Sequence, residues 1–153
     1  MRKPVVALAC AALVLSGCAT IRESRLNPFN WFGKSREQAV TVAPATPEDG
    51  RQLVAEVIAL DVSRNPGGAI VTATGLPPRQ GYWSAELVPE NGGEPVDGVL
   101  TYRFLVAEPI GETRISTPRS REVTAARFIS NARLEGVRQI VVLGLKNSRV
   151  SRR

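Results

Sequence analysis

Two cysteines, Cys10 and Cys18, are the only thiols in a chain that contains no histidine. That pairing limits the chemistry at once. Without histidine there is no Ser-His-Asp triad, no Cys-His nucleophile and no His-ligated zinc or iron site. Ser-Lys catalysis needs no histidine, but Ser35 directly follows Lys34 and no Ser-x-x-Lys occurs. Glu90, Glu94 and Asp97 gather three carboxylates on one stretch, yet their spacing fails the EF-hand pattern, and a solvated turn is expected there. Asn65-Pro66-Gly67-Gly68 fits neither a P-loop nor a dinucleotide fingerprint and reads as a hairpin turn. No metal site, no catalytic set and no cofactor pocket is expected.

Cys18 is the residue with an assignable chemistry, because of what precedes it. Met1-Arg2-Lys3 is a short positive segment, and Pro4 to Leu15 is apolar and uncharged. Twelve helical residues reach about 18 Å, short of the ~30 Å hydrocarbon core, so a cleaved signal over residues 1–17 is expected rather than a membrane span. Leu15-Ser16-Gly17-Cys18 then resembles the lipobox of bacterial lipoproteins: leucine, two small residues, cysteine. The resemblance implies cleavage between Gly17 and Cys18, a diacylglyceryl group on the Cys18 thiol and an N-acyl chain on the new terminus. It implies no other cofactor. Two or three acyl chains on one residue hold a protein on a bilayer, since each buried methylene contributes about 0.8 kcal/mol. Ala19, where lipoproteins retained in the inner membrane carry Asp, implies the outer membrane, with the protein facing the periplasm. On this reading Cys10 leaves with the signal, and the mature chain has no free thiol and no intrachain disulfide.

Residues 18–50 are expected to be the lipidated terminus and a flexible tether. Pro28, Pro44 and Pro47 interrupt it, and Thr41 to Pro47 is a run of small residues and proline. Within it lies an aromatic segment, residues 27–34. Phe29, Trp31 and Phe32, flanked by Arg22, Arg25, Lys34 and Arg36, are candidates for an interface with the membrane or a partner protein, or for packing back onto the domain. Ser24 to Gly33 resembles a stretch of small alphaproteobacterial envelope lipoproteins, a group that implies no specific function.

The remainder must position any site. Runs over Leu53–Val62, Ala69–Leu76, Tyr82–Val88, Val99–Ala107 and Val137–Leu145 read as strands, with Glu112–Ser116 as a short edge strand. In Val99–Ala107, Leu100, Tyr102, Phe104 and Val106 alternate with Thr101 and Arg103, which predicts one buried face. Residues 120–135 fit either a strand or a helix; a helix over 118–134 would be capped by Thr117, opened by Pro118 and ended by Gly136. Strand is preferred, because the surroundings are all-β. The expected fold is therefore an all-β, antiparallel, immunoglobulin-like or fibronectin-like sandwich over residues 51–147, with α+β as the alternative. Residues 148–153 are expected to be a frayed basic tail.

One stretch of the domain has the composition of a recognition surface. Pro77-Pro78-Arg79-Gln80-Gly81 leads into Tyr82-Trp83, two adjacent rings able to stack on a sugar or a proline-rich peptide. The competing expectation follows from alternation with Ala85 and Leu87, which puts Trp83 in the core and Tyr82 outside. The charge of +6, or +4 once Arg2 and Lys3 leave with the signal, is mild and gives no case for nucleic acid. The sequence thus leads to an envelope lipoprotein that acts as a non-enzymatic binding or assembly module. Its expected partners are membrane lipid through Cys18 and an envelope protein or peptidoglycan. The alternatives are an accessory subunit docked through its aromatic tether and a small carbohydrate-active hydrolase.

Overall fold

A computed structural model describes the backbone of residues 36–38 and the whole of residues 50–152. The expected signal over residues 1–17, Cys18 and the aromatic segment with Phe29, Trp31 and Phe32 lie outside the described residues.

Among the described residues, nine strands form two sheets: β1 (Arg36–Gln38), β2 (Gln52–Leu53), β3 (Glu56–Asn65), β4 (Gly68–Leu76), β5 (Trp83–Pro89), β6 (Val99–Ala107), β7 (Val123–Ser130), β8 (Gln139–Leu143) and β9 (Ser148–Arg152). The larger sheet runs β1-β9-β8-β6-β2, with β5 on the other side of β6; the smaller is β3-β4-β7. The domain is mostly β, and no α-helix occurs among the described residues.

The core lies where the apolar faces of the sheets meet. In β6, Leu100, Tyr102, Phe104 and Val106 are all buried, as the period-two pattern requires. Leu87, Ile140 and Val142 join them from the same sheet, and Val57, Val71, Ala73 and Ile129 come from the other. Gly75 shows how close the sheets approach: a Cβ there would sit 2.6 Å from Val54 Cγ2 and 3.0 Å from Phe104 Cε1. The β3–β4 hairpin turns at Pro66-Gly67, where the Gly67 N–H donates to Asn65 Oδ1 at 2.9 Å.

Three expectations are corrected, and one is borne out: residues 120–135 carry the preferred strand and not the alternative helix over 118–134. A single 3-10 turn spans Pro118–Arg121, and Val123–Ser130 is a full strand paired along β4. Val123 and the buried Ala125 and Ile129 face the other sheet, so strand burial outweighs the helix propensity of the alanines. The larger sheet is not wholly antiparallel, because β6 and β8 run parallel with Leu100 opposite Ile140. Parallel neighbours need a crossover, and the chain makes it by way of β7 in the opposite sheet.

The C-terminal residues are not a frayed tail. Ser148–Arg152 is a strand between β8 and β1, with Ser148, Val150 and Ser151 buried. Its partner β1 sits inside the expected tether. Finally, Glu112–Ser116 forms no strand; it is joined to the Gln80 loop by Gln80 N–H to Arg114 O at 3.0 Å and Thr113 Oγ1 to Gln80 O at 2.7 Å.

Candidate functional site

Of the site residues read from the sequence, the described domain contains Tyr82 and Trp83. Both lie where β5 begins, and the expectation that Trp83 is a core residue is overturned. Its exposure is 59%, against 1% for Leu87 on the same strand. Leu87 faces Phe104 and Glu86 faces Leu105, but Trp83 faces Ala107. One extra residue is therefore accommodated on β5 between Trp83 and Glu86. Ser84 lies within this bulge and takes a φ of 50°. A bulge reverses the alternation, so everything before it changes face. Trp83 leaves the core side and joins Glu86 on the outside of the sheet. Gly81, at φ 83°, turns the chain into this bulge with Pro109 Cβ only 3.2 Å from where a side chain would begin.

The outward ring is fixed in place. Trp83 Nε1 donates to the backbone oxygen of Glu108 at 3.1 Å. The Glu108 carboxylate is itself shared: Oε1 accepts from Gln52 Nε2 at 2.7 Å and from the Tyr82 hydroxyl at 3.3 Å. Gln52 Nε2 also lies 3.5 Å from the Tyr82 oxygen. Beside this group Arg51 Nη1 meets Glu86 Oε2 at 2.7 Å. Burial and the neighbouring Glu108 carboxylate raise the Tyr82 pKa, while Arg79 acts in the opposite direction.

Trp83, Arg51, Gln52, Glu86 and Glu108, but not Tyr82, line an open groove of about 760 Å³, within the range of ligand sites. Trp83 forms one wall, and Arg51, Gln52, Glu86 and Glu108 supply the polar groups. Sequence reasoning found the rings and missed these four. Gln52 and Glu108 are 56 residues apart, and only the β2–β6 pairing, with Gln52 opposite Val106, makes them neighbours.

The groove presents a flat indole beside donors and acceptors in fixed positions. Both carboxylates serve as acceptors within the protein, Glu86 toward Arg51 and Glu108 toward Gln52 and Tyr82. Glu90, Glu94 and Asp97 do not assemble. Glu94 pairs with Arg133 at 3.4 Å, and no group of acids that could hold a metal occurs among the described residues. No helix among them is long and apolar enough to cross a membrane. No protein-family model, curated protein or solved structure matches the chain.

Proposed function

We propose that this protein is a lipid-anchored, non-enzymatic binding module of the cell envelope, and that it holds the glycan of the wall, peptidoglycan, in the Trp83 groove. The observation that carries this is the bulge that turns Trp83 outward beside Gln52, Glu86 and Glu108. A large ring that a single register shift removes from the core loses burial worth roughly 1.5–3 kcal/mol, so an unused exposed Trp is a cost. Sugar rings offer an apolar C–H face for the indole and hydroxyls for planar amide, carboxylate and guanidinium groups.

The anchor is Cys18, supported by the lipobox Leu15-Ser16-Gly17-Cys18, and the membrane is the outer one, facing the periplasm. The fold is read as an immunoglobulin-like or fibronectin-like sandwich. Support comes from the two sheets and their shared core, while the parallel β6–β8 pair departs from an all-antiparallel sandwich.

Co-sedimentation with purified peptidoglycan sacculi tests the binding. The full chain should pellet with sacculi, and Trp83→Ala should weaken this by about tenfold or more, as loss of an aromatic anchor does. Equal pelleting of the variant would remove the groove from the account. Fractionation tests the anchor separately: Cys18→Ala should leave the membrane or retain its signal. A processed Cys18→Ala chain still in the outer membrane would contradict lipidation.

Two acids in one groove favour a second reading, a carbohydrate-active hydrolase. Under it, glycan strands would be cleaved, and Glu86→Gln or Glu108→Gln would abolish cleavage without abolishing binding.

A further inference from the structure

A second cavity lies at the far end of the β5–β6 pair, where the turn after β5 approaches β7. Its volume is about 270 Å³, and it is lined by Tyr102, Gly92, Arg127, Phe128 and Arg133 among others. Tyr102 and Ala107 are five residues apart on one strand, which sets Tyr102 roughly 17 Å from the Trp83 end of the groove.

Tyr102 is the unusual member. It is 3% exposed, and its hydroxyl makes no hydrogen bond among the described residues. The oxygen is not sealed off as a buried unsatisfied atom, so it reaches the open space of the cavity. The hydroxyl is thus open to a ligand, with no protein hydrogen bond to displace. Two cations face the same space. Arg127 Nη1 donates to Leu87 O at 3.0 Å and lies 3.6 Å from Glu86 Oε1. Arg133 Nη1 donates to Gly92 O at 3.0 Å and lies 3.4 Å from Glu94 Oε1. Each guanidinium therefore spends only Nη1 on the protein, leaving Nη2 and Nε without a described partner. Both cations act on the phenol, lowering its pKa against the larger rise caused by burial.

We propose that this cavity binds a small monocarboxylate carrying an apolar group, through the Tyr102 hydroxyl and the guanidinium groups of Arg127 and Arg133. A carboxylate is planar and matches a guanidinium edge, while the hydroxyl donates to the same anion. A single negative charge fits better than two, because Glu86 and Glu94 already offset part of the positive charge. The apolar group has a wall in Phe128, which is 55% exposed. The cavity shares no ring with the Trp83 groove, but Glu86 borders both, its Oε2 on Arg51 and its Oε1 3.6 Å from Arg127.

Benzoate is a suitable probe, with neutral benzamide and inorganic phosphate as comparisons. The experiment follows amide shifts of the full chain carrying Cys18→Ala. Benzoate should give saturable shifts at Gly92, Phe128 and Ser130. Tyr102→Phe, which removes only the unpartnered oxygen, and Arg133→Gln, on an exposed side chain, should each weaken binding by about tenfold. Trp83→Ala should leave it unchanged. Absence of saturable shifts would overturn the proposal, as would benzoate binding unaffected by Tyr102→Phe. Equal binding of benzamide would show an apolar gap without anion recognition, and equal binding of phosphate would contradict the single-charge argument.

Discussion

Trp83 stands opposite Ala107, although the register set by Leu87 opposite Phe104 would place it opposite Glu108. That one-residue offset turns the indole from the core to the surface and opens the groove beside it. Deleting Ser84 should restore the unbroken register and return the ring to the inner face. In a Trp31→Phe background Trp83 is the sole tryptophan, so its emission should shift to the blue and its acrylamide quenching should fall. Unchanged quenching would show that the bulge does not set the orientation.

Tyr82 and Glu108 should be coupled in their titration. The Tyr82 pKa is raised by burial first and then by the Glu108 charge and hydrogen bond. A group whose folded value lies above its unfolded one stabilises the fold below the unfolded value, and that contribution is lost as pH rises through the folded value. The bond should therefore hold at neutral pH and weaken above the ordinary tyrosine value of 10.0. Glu108→Gln should lower the Tyr82 midpoint, read by phenolate absorbance in a Tyr102→Phe background, which leaves Tyr82 as the only tyrosine. A midpoint that stays in place would separate the two groups.

Asn147 binds one residue of the opposite sheet twice. Its Oδ1 accepts from the Val57 N–H at 2.8 Å, and its Nδ2 donates to the Val57 carbonyl at 3.1 Å. These are buried backbone groups at an irregularity in the β3–β4 ladder, so the side chain takes the place of a missing strand partner. Asn147→Ala leaves the Val57 N–H unpaired, while the Val57 carbonyl keeps Arg149 Nε at 3.0 Å, and should cost about 1–3 kcal/mol in denaturant unfolding. Asn147→Asp keeps the acceptor but loses the donor and should also destabilise. A loss within roughly 0.5 kcal/mol would show that water replaces the amide.

Truncation after Asn147 distinguishes a tail from a strand. A frayed tail could be removed at no cost. Removal of β9 exposes the β8 edge and discards the buried Ser148, Val150 and Ser151. The shortened chain should lose more than about 3 kcal/mol of stability. A melting curve matching the full chain would return these residues to the tail.

The legible parts of the fold share one property: a long period-two run. Val99–Ala107 has it, and the strand has those same bounds. Arg149-Val150-Ser151-Arg152 reads as polar, because its burial depends on two neighbours far apart along the chain, β1 and β8, rather than on its own pattern. The parallel β6–β8 pair is hidden for a similar reason, since turn residues signal hairpins and give no sign of a crossover. At the site the rings of Tyr82 and Trp83 stand out by composition, but one residue of bulge defeats a parity count. Gln52 and Glu108 carry no local mark at all. Tyr102 is legible as core, yet its free hydroxyl emerges only when Arg127 and Arg133 come to the same cavity.

The central claim is that Trp83 is a binding residue for wall glycan. The most direct measurement is Trp83 fluorescence in the full chain carrying Trp31→Phe and Cys18→Ala, titrated with soluble peptidoglycan glycan strands. A saturable change in emission and protection from acrylamide are predicted, both weakened by Glu108→Ala, which removes one of the polar groups beside the indole and the carboxylate that holds Gln52. An emission spectrum that stays constant through millimolar glycan would contradict it.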